Sequence, residues 1–493
     1  MAFYTEDIFG DAVVSEVNEE FNLPEYEPEI KKILRVTARI LPAGKYIGAG
    51  KAEFAGNVIY GVIYLGSEGE IGTVNLSSDY EFAVPFPDTD AECAVYASVR
   101  ADNVLCRPTG PRRLSFRTRL KSRIEMLKKT PVPIVSAPKN AEMLRDTQRA
   151  SLVERVSSGE FEISGDIKLS AKPVVCDASV CNTDVRKEGG ALVCRGELWV
   201  RVTCSDGALS CAEKRIPFER RVEFDAQDGD TYRVIPACLS CECSGEGESA
   251  FVSAIAEMDV ECARSFDFHT VRDAFIPGLE SVLERGRTDI SAVLVNKNAT
   301  LSVSGSKKLT AEEAEASEAI CPFGEISFEK PVADGERIIA NGTLTLHTIL
   351  TNGADYYPQR LEIPFKFTPE SAQGTDGTML ISNVSGTLAS VKLKIENGTL
   401  TADGEINICA SVYGKKQVQS VCAVKGEKSA KSENGYGVKI VYPQKADTLW
   451  SVAKERAVPV LTLAEENGVD IKYVSDPENE QSLKDTRVLV FKK

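Results

Sequence analysis

The sequence has few of the side chains and motifs on which enzymes commonly depend. Only two of its 493 residues are histidines, His269 and His347. The chain contains no GxSxG nucleophile motif, no phosphate-binding P-loop and no HExxH metal motif. A catalytic site needs a nucleophile, a base or a metal held in a pocket. We therefore expect a protein that is not an enzyme and needs no cofactor.

The chain also lacks the segments that direct a protein into or across a membrane. Its first residues, MAFYTEDIFGDAVVSEV, have neither the basic region nor the apolar run of a signal peptide. No uninterrupted apolar run approaches the roughly 18 residues that indicate a membrane-spanning helix. We therefore predict a cytoplasmic protein without a membrane span.

Positive charge is scarce relative to negative charge. The chain has 58 lysines and arginines against 73 aspartates and glutamates, which gives a formal net charge of -15. Nucleic acids and anionic membrane surfaces need a basic face, so neither is an expected partner. The one dense basic stretch, at residues 107–123, alternates with apolar residues and is interpreted as the solvent-facing side of a strand. Contact with an acidic partner or with cell-wall phosphate is the alternative for this stretch.

Cysteine, by contrast, is abundant: the chain has 14, and nine of them lie between Cys176 and Cys262. The tightest group, Cys238, Cys241 and Cys243, forms a CxxCxC pattern in a stretch that alternates like a strand. Structural zinc sites have four ligands, and no second CxxC supplies the others, so we expect no metal. Without a secretion signal, the thiols are predicted to be reduced and to serve as small apolar side chains.

One pattern occurs three times along the chain. The copies occupy residues 56–86, 190–218 and 335–365. Each has a glycine in a strand-like run (Gly61, Gly196 or Gly342), then a turn (SEGE, SDGA or TNGA), then a run that ends in an apolar-Pro-Phe triplet. Alternation of period two around a glycine turn predicts a β-hairpin. The proline predicts that each triplet lies at a sheet edge or a strand end.

The predicted fold is mainly β, because further alternating strands follow each hairpin. Three stretches that lie before or between the copies, residues 27–34, 141–156 and 276–285, are predicted to be short helical connectors. Chain length and the repeat then indicate three tandem β-sandwich-like modules and a small C-terminal unit. The predicted divisions are 1–135 with an N-terminal extension, 136–268 with most of the cysteines, 269–424, a linker at 425–437, and the terminal unit at 438–493.

The terminal unit has the strongest helix signals in the chain. Asp447 is predicted to cap a first helix, and Pro459 is predicted in the first turn of a second. Asn467 and Gly468 are typical of a helix end. A short strand precedes the helices and RVLVF closes the unit, which gives the order βααβ.

The pattern DTLWSVAKE…VPVLTLAEENG resembles that of a LysM domain, in which two helices pack on one face of a two-stranded sheet. LysM domains bind glycans that contain N-acetylglucosamine, such as peptidoglycan. The resemblance implies a groove between the loop into the first helix and the loop after the second. In this chain the groove would be lined by Asp447, Thr448, Leu449, Asn467, Gly468 and Val469. Trp450 is expected to pack inside the unit.

The upstream copies resemble the SPOCS domains of clostridial sporulation proteins, notably at residues 22–40, 56–65 and 271–281. Three such domains followed by a LysM unit is the layout of the SipL-like spore coat morphogenetic proteins, and the resemblance covers nearly the whole chain. In that family the LysM unit docks on a SpoIVA-like coat ATPase at the forespore surface and recruits coat layers. The resemblance therefore implies a non-enzymatic scaffold in the mother-cell cytoplasm.

Two other functions stay open on the sequence. A protein that attaches to cortex or cell-wall peptidoglycan would use the same groove to bind glycan chains. A cell-wall hydrolase with a LysM anchor would need a catalytic domain, which no upstream motif indicates.

Overall fold

The structure is a computed structural model. It describes residues 2–9, 12–48, 50–86, 93–245, 248–334, 337–369, 379–427, 437–443, 448–469 and 488–492. Within these ranges most of the chain is β-strand, and the two α-helices both lie near the C-terminus. The prediction of a mainly β fold is confirmed. Neither of these two helices has the length and apolar character that a membrane span requires.

The first third of the fold consists of two four-stranded sheets. Its strands are β1 (Phe3–Phe9), β2 (Ala12–Asn22), β3 (Ile30–Ile40), β4 (Gly44–Gly48), β5 (Lys51–Gly66), β6 (Ile71–Pro85), β7 (Cys93–Gly110) and β8 (Arg113–Pro131). In one sheet, β8 pairs with β7 on one side and with β1 and β2 on the other. In the second sheet, β5 pairs with β6 on one side and with β3 and β4 on the other.

The second third repeats this arrangement with seven strands. They are β9 (Glu142–Ser157), β10 (Phe161–Lys168), β11 (Lys172–Glu188), β12 (Ala191–Ser205), β13 (Leu209–Glu223), β14 (Thr231–Ser244) and β15 (Ser249–Phe275). The long strand β15 pairs with β14 on one side and with β9 and β10 on the other. In the second sheet, β12 lies between β11 and β13.

The last third and the terminal unit complete the chain. Their elements are β16 (Glu280–Lys308), a 3₁₀ turn (Glu313–Glu315), β17 (Glu318–Phe328), β18 (Val332–Asp334), β19 (Arg337–Thr351), β20 (Tyr356–Phe367), β21 (Met379–Glu396), β22 (Thr399–Glu427), β23 (Gly437–Val441), α1 (Leu449–Arg456), α2 (Val460–Asn467) and β24 (Val488–Lys492). Strand β22 lies between β16 and β21, and β19 pairs with β17, β18 and β20. Strands β23 and β24 form a two-stranded antiparallel sheet of their own.

The same topology therefore occurs three times. In each third the last strand returns to pair with an early one: β8 with β2, β15 with β10, and β22 with β16. The central strands of the two sheets also pack face to face, β5 on β8, β12 on β15 and β19 on β22, through alternate apolar side chains. Alternation along a strand places such residues on one face, so each third has an apolar core between two sheets.

The three predicted hairpins are confirmed as β5–β6, β12–β13 and β19–β20. Their turns depend on Gly69, Gly207 and Gly353, whose φ angles are 93°, 79° and 91°. Residues with a side chain rarely adopt such angles. Each apolar-Pro-Phe triplet begins on β6, β13 or β20. Each of these strands pairs on one side only within the described part of its sheet, so the predicted edge position of the prolines is confirmed.

Two of the three strand glycines make room for an aromatic ring on the neighbouring strand. Gly196 lies opposite Phe218, and a Cβ at Gly196 would sit 2.7 Å from that ring. Gly342 lies opposite Phe365 in the same way. In the first copy Gly61 lies opposite Asn75 instead, and the corresponding close approach is between Gly56 and the ring of Tyr80. Gly61 was therefore not the equivalent of the other two glycines.

The basic stretch lies on β7 and β8 and the turn between them. Four of its seven basic side chains are exposed, as interpreted, and the other three are half-buried. The apolar residues of β8 at even positions are buried, namely Leu114, Phe116, Leu120, Ile124 and Met126. Two arginines between them pair with acidic residues of neighbouring strands: Arg117 with Glu16, and Arg119 with Asp102. Strand β8 is central in its sheet, so its charges do not protect an open edge.

The predicted helical connectors were wrong. Residues 142–157 form strand β9, residues 30–34 belong to β3, and residues 280–285 open β16 after a turn at Gly278. These stretches are rich in Glu, Arg, Lys and Leu, which favour helices only weakly. Pairing along β15, β5 and β22 gives their backbones more hydrogen bonds than an isolated short helix, and this tertiary context overrides the local preference.

The predicted module divisions can be placed on these strands. The division between residues 268 and 269 lies inside β15, and the one between residues 424 and 425 lies inside β22. The division between residues 135 and 136 lies in the connection from β8 to β9. Of the predicted linker, residues 425–427 belong to β22 and residues 428–436 lie outside the described residues.

Buried charged side chains from different thirds meet around the carboxylate of Glu261 on β15. Arg233 on β14 donates from Nε to Oε1 over 3.2 Å and from Nη2 to Oε2 over 2.8 Å. Arg155 on β9 donates from Nε to Oε2 over 2.7 Å and also pairs with Glu125 on β8. The hydroxyl of Tyr413 on β22 donates to Oε1 over 3.2 Å. The cluster thus joins strands of all three thirds.

The surroundings of Glu261 keep its carboxylate ionised. Burial opposes ionisation, but the charges and hydrogen bonds of Arg233 and Arg155 outweigh it and hold the pKa of Glu261 well below its usual range. The side chains of Glu261 and Arg233 are both 0% exposed. Removing one partner of such a pair leaves the other charge buried without compensation. The cluster therefore fixes how the thirds are joined.

We predict that Glu261→Gln lowers the free energy of unfolding by about 3–5 kcal/mol, since it leaves the Arg233 charge buried without its partner. Because the folded-state pKa is lowered, the stabilisation by Glu261 is present above the unfolded-state pKa of about 4.3 and is lost as pH falls through the folded-state value. Urea unfolding between pH 7 and pH 3 measures both effects. The control Glu242→Gln, at an exposed site on β14, should change stability by about 0.5 kcal/mol or less. Equal effects of the two substitutions would contradict the prediction.

Candidate functional site

The terminal unit contains both described α-helices, and local sequence defines their ends. Thr448 caps α1: its hydroxyl accepts a hydrogen bond from the backbone N–H of Ser451, and the Ser451 hydroxyl accepts one from the Thr448 N–H. This reciprocal pair satisfies two backbone donors that the first turn leaves free. The cap is thus Thr448 and not Asp447, which lies outside the described residues. Gly468, with φ 65°, ends α2 as predicted.

The inner faces of the two helices form a small core with one face of the sheet. The apolar side chains on these inner faces are buried, namely Leu449, Val452, Ala453, Val460, Leu463 and Ala464. They pack against Val488 and Val490 of β24. Trp450 was expected to pack inside the unit. It is buried, but its ring meets Phe275 of β15, outside the unit, edge-on at 5.2 Å between centroids. The described elements of the unit are, in chain order, β23, α1, α2 and β24.

The predicted groove has little free polar surface on its described side chains. The Asn467 amide makes three hydrogen bonds within the unit: Nδ2 donates to the carbonyls of Leu463 and Leu489, each over 2.8 Å, and Oδ1 accepts from the Leu489 N–H over 2.6 Å. Asn467 thus joins α2 to β24. The Thr448 hydroxyl is engaged in the cap, and Leu449 is buried.

The remaining two groove residues lie at the end of α2. Gly468 is exposed, and the half-buried Val469 packs on the core of the unit while its N–H donates to the Ala464 carbonyl. Val469 and Leu449 contact the same apolar cluster, so the structure brings the two ends of the predicted groove to one core. Among the described residues, the structure does not bring unpaired polar side chains together at the predicted groove.

The opposite face of the terminal sheet is exposed and apolar. In the register of β23 and β24, Val438 lies opposite Phe491 and Ile440 opposite Leu489. Because side chains alternate between faces, these four point away from Val488 and Val490, and hence away from the helices. Val438 is 54% exposed, Ile440 51% and Phe491 39%. Together with the exposed ring of Tyr442, these residues define what we call the outer face.

Sequence reasoning missed the outer face. The stretch VKIVY, residues 438–442, and the stretch VLVF, residues 488–491, each carry apolar side chains at both parities. A strand buried on one side only normally alternates apolar with polar residues. Apolar residues at both parities in a terminal two-stranded sheet are therefore the signal that could have revealed it.

The terminal unit is attached to the second third through Asp273 on β15. Its carboxylate accepts hydrogen bonds from Trp450 Nε1 over 3.0 Å and from Lys454 Nζ over 2.5 Å, and it pairs with Arg285 of β16. Burial opposes ionisation of Asp273, but the hydrogen bonds from Lys454 and Trp450 outweigh it and lower the pKa. One carboxylate thus joins α1, β15 and β16.

A second attachment involves the start of α2. The N–H of Val460 donates to both carboxylate oxygens of Glu142 on β9, over 3.1 and 3.3 Å. Pro459 precedes this helix and gives it no side-chain cap, so Glu142 supplies the acceptor that the first turn needs. The Gly278 N–H donates to the Ala457 carbonyl over 2.7 Å. The helices are thus held between the body of the protein and their own sheet.

The CxxCxC cysteines lie on a strand, as their alternation predicted. Cys238, Cys241 and Cys243 lie on β14 and pack against the core between the two sheets of the second third. All 14 cysteines are free thiols. Across the described ranges, no three His, Cys, Asp or Glu side chains are grouped so that they could hold a metal ion.

Comparisons with protein-family models, with curated proteins and with solved structures found no match to this chain.

We predict that Asp273→Ala loosens the terminal unit without unfolding the body. The substitution removes the acceptor shared by Trp450, Lys454 and Arg285, which is worth about 1–3 kcal/mol for hydrogen bonds to a charged group. Hydrogen exchange of the α1 amides should therefore accelerate about tenfold or more, while that of β12 stays unchanged. The control is Asp267→Ala at an exposed position on the same strand. Unchanged α1 exchange in Asp273→Ala would show that the attachment lies elsewhere.

Proposed function

We propose that this chain is a non-enzymatic scaffold of spore coat assembly, whose terminal unit docks on a SpoIVA-like coat ATPase and recruits coat layers to the forespore surface. The observation that carries the protein-binding part is the exposed outer face of β23 and β24. The sporulation setting, the coat ATPase as partner and the mother-cell cytoplasm as location rest on the sequence resemblance to the SipL-like family.

The outer face has the character of a protein-binding surface. Val438, Ile440, Tyr442 and Phe491 are large apolar or aromatic side chains that solvent reaches, although burial of each would be favourable by about 25 cal/mol per Å². Contiguous exposed apolar surface is typical of interaction sites, and aromatic residues are enriched in the cores of protein interfaces. The partner surface that fits it is apolar at its centre, with a polar rim.

The groove supports glycan binding less well. A sugar presents hydroxyl groups, and a site selective for it needs polar groups that are not already satisfied. The Asn467 amide makes three hydrogen bonds within the unit, and Thr448 is engaged in the helix cap. This arrangement favours a protein partner over peptidoglycan.

The attachment of the unit supports the same function. The helices lie against the body through Trp450 and Val460, and against the sheet through Val488 and Val490. The outer face lies on the other side of that sheet and stays open within the described part of the chain. A partner bound there would be held at a fixed position relative to the three β thirds, as a scaffold requires.

We predict that Ile440→Glu weakens binding of the full chain to the purified coat ATPase by about tenfold or more, because it places a charge in the centre of an apolar contact. The matched control is Leu461→Glu. Leu461 lies on α2 in the same unit and is 52% exposed, against 51% for Ile440, so the two substitutions carry a similar structural cost. The measurement is a binding titration, with thermal unfolding of each variant to verify folding.

The same variants separate the two functions. Loss of ATPase binding in Ile440→Glu alone supports the docking proposal. If the wild-type chain fails to bind the ATPase but sediments with purified peptidoglycan, and Asp447→Ala abolishes that sedimentation, the glycan-binding alternative replaces it. Equal ATPase binding by both variants would rule out the outer face as the contact.

A further inference from the structure

Two cysteines that are distant in sequence face each other in the second third. The sulfur of Cys176 on β11 lies 3.1 Å from the sulfur of Cys241 on β14. A disulfide bond is about 2.0 Å long, so the two sulfurs need to approach by only about 1 Å. Both residues are half-buried, so neither is fully enclosed by the core.

The pair connects two different sheets. Strand β11 is an outer strand of the sheet β11–β12–β13, and β14 is an outer strand of the sheet β10–β15–β14. Both cysteines pack against the apolar core that these sheets enclose. A bond between them would therefore close the two sheets along one edge.

The two thiols have unequal chemistry. The Cys176 and Cys241 sulfurs share one hydrogen bond, in which either thiol can be the donor. This bond, together with the positive charge of Arg39, outweighs burial and lowers the pKa of Cys241. The same hydrogen bond, together with burial, raises the pKa of Cys176. On the same strand, burial raises the pKa of Cys238 to about 12. Of the CxxCxC residues, Cys241 is thus the one favoured to become a thiolate, which is the reactive form.

We propose that Cys176 and Cys241 form a disulfide when the protein meets hydrogen peroxide, and that this bond fastens the two sheets of the second third to each other. The reaction begins when the Cys241 thiolate attacks one peroxide oxygen. An S–O bond forms, the O–O bond breaks, and the hydroxide released takes up the proton that Cys241 had lost. The products are a sulfenic acid at Cys241 and one water.

Cys176 completes the reaction. Its sulfur attacks the Cys241 sulfur, the S–O bond breaks, and the Cys176 proton leaves with the hydroxyl group as a second water. The two thiols together supply two electrons, which reduce one peroxide to two waters. This site is independent of the outer face and of the proposed partner, because both cysteines lie in the second third and not in the terminal unit.

The structural consequence is a constraint on the unfolded chain. The two cysteines are 65 positions apart, and closing a loop of that size lowers the entropy of the unfolded state. Oxidation should therefore stabilise the second third. Under reducing conditions the two residues serve as small apolar side chains, as the sequence predicts, so the two states differ by one bond.

The test uses the full chain, treated with a slight excess of hydrogen peroxide, alkylated and digested for peptide mapping by mass spectrometry. We expect one cross-linked species that joins the Cys176 and Cys241 peptides, with a mass lower by two hydrogen atoms. The unfolding midpoint should rise by several degrees, and dithiothreitol should reverse the rise. Peptides in which both cysteines remain free, or are linked to other cysteines, would overturn the proposal.

Variants assign the roles of the two thiols. Cys176→Ser should abolish the cross-link and leave a sulfenic acid at Cys241 that a dimedone probe captures. Cys241→Ser should abolish the cross-link and yield no captured sulfenic acid at Cys176. Cys422→Ser, which removes an exposed thiol on β22, should keep both the cross-link and the stabilisation. Reduced samples of all variants are compared by thermal unfolding, so that loss of the cross-link is not confused with loss of the fold. A sulfenic acid at Cys176 instead of Cys241 would contradict the assigned order.

Discussion

The ion pairs around Glu261 are the interaction on which the joining of the thirds depends. The Glu261 carboxylate is fully buried and forms ion pairs with Arg233 and Arg155. Tyr413 of the last third donates a hydrogen bond to it, and Glu125 of the first third pairs with Arg155. A buried charge requires compensation from partners in fixed positions, so the cluster tolerates only one arrangement of these strands. The three thirds are therefore packed on one another and are not independent of each other.

Strand β15 extends this constraint along the molecule. Near its start it pairs with the β14 segment that holds Cys241, in its middle it carries Glu261, and its last residues include Asp273 and Phe275, which hold the terminal unit. The strand that joins the thirds, β15, thus also positions the terminal helices. Their own sheet presents its apolar outer face on the far side. In this arrangement a large β body positions a small unit that is suited to contact another protein.

The sequence predicted local features well and contacts between distant segments poorly. Period-two alternation identified β8 and the three hairpins, and local helix signals identified α1 and α2, because these signals lie within a few residues of each other. Residues 141–156 were misassigned as a helix, since their strand pairing depends on β15, more than a hundred residues later. The partners of Glu261 could not be chosen among 58 basic residues. Asn467 was correctly placed at the helix end, but its bridge to Leu489 requires the closing strand to be in position.

The chain contains two tryptophans. One reports on the packing between the thirds, and the other reports on the attachment of the terminal unit. Trp199 is buried with residues of the last third, including Leu344 and Leu388, and Trp450 is buried against Phe275 of β15. The decisive measurement is urea unfolding followed by the fluorescence of each tryptophan alone, in Trp199→Phe and Trp450→Phe variants. If β15 couples the joined thirds to the terminal unit, the two transitions coincide in midpoint and slope. If Trp450 becomes exposed in a separate transition at lower urea while Trp199 stays buried, the terminal unit is not locked to the body and the account is wrong.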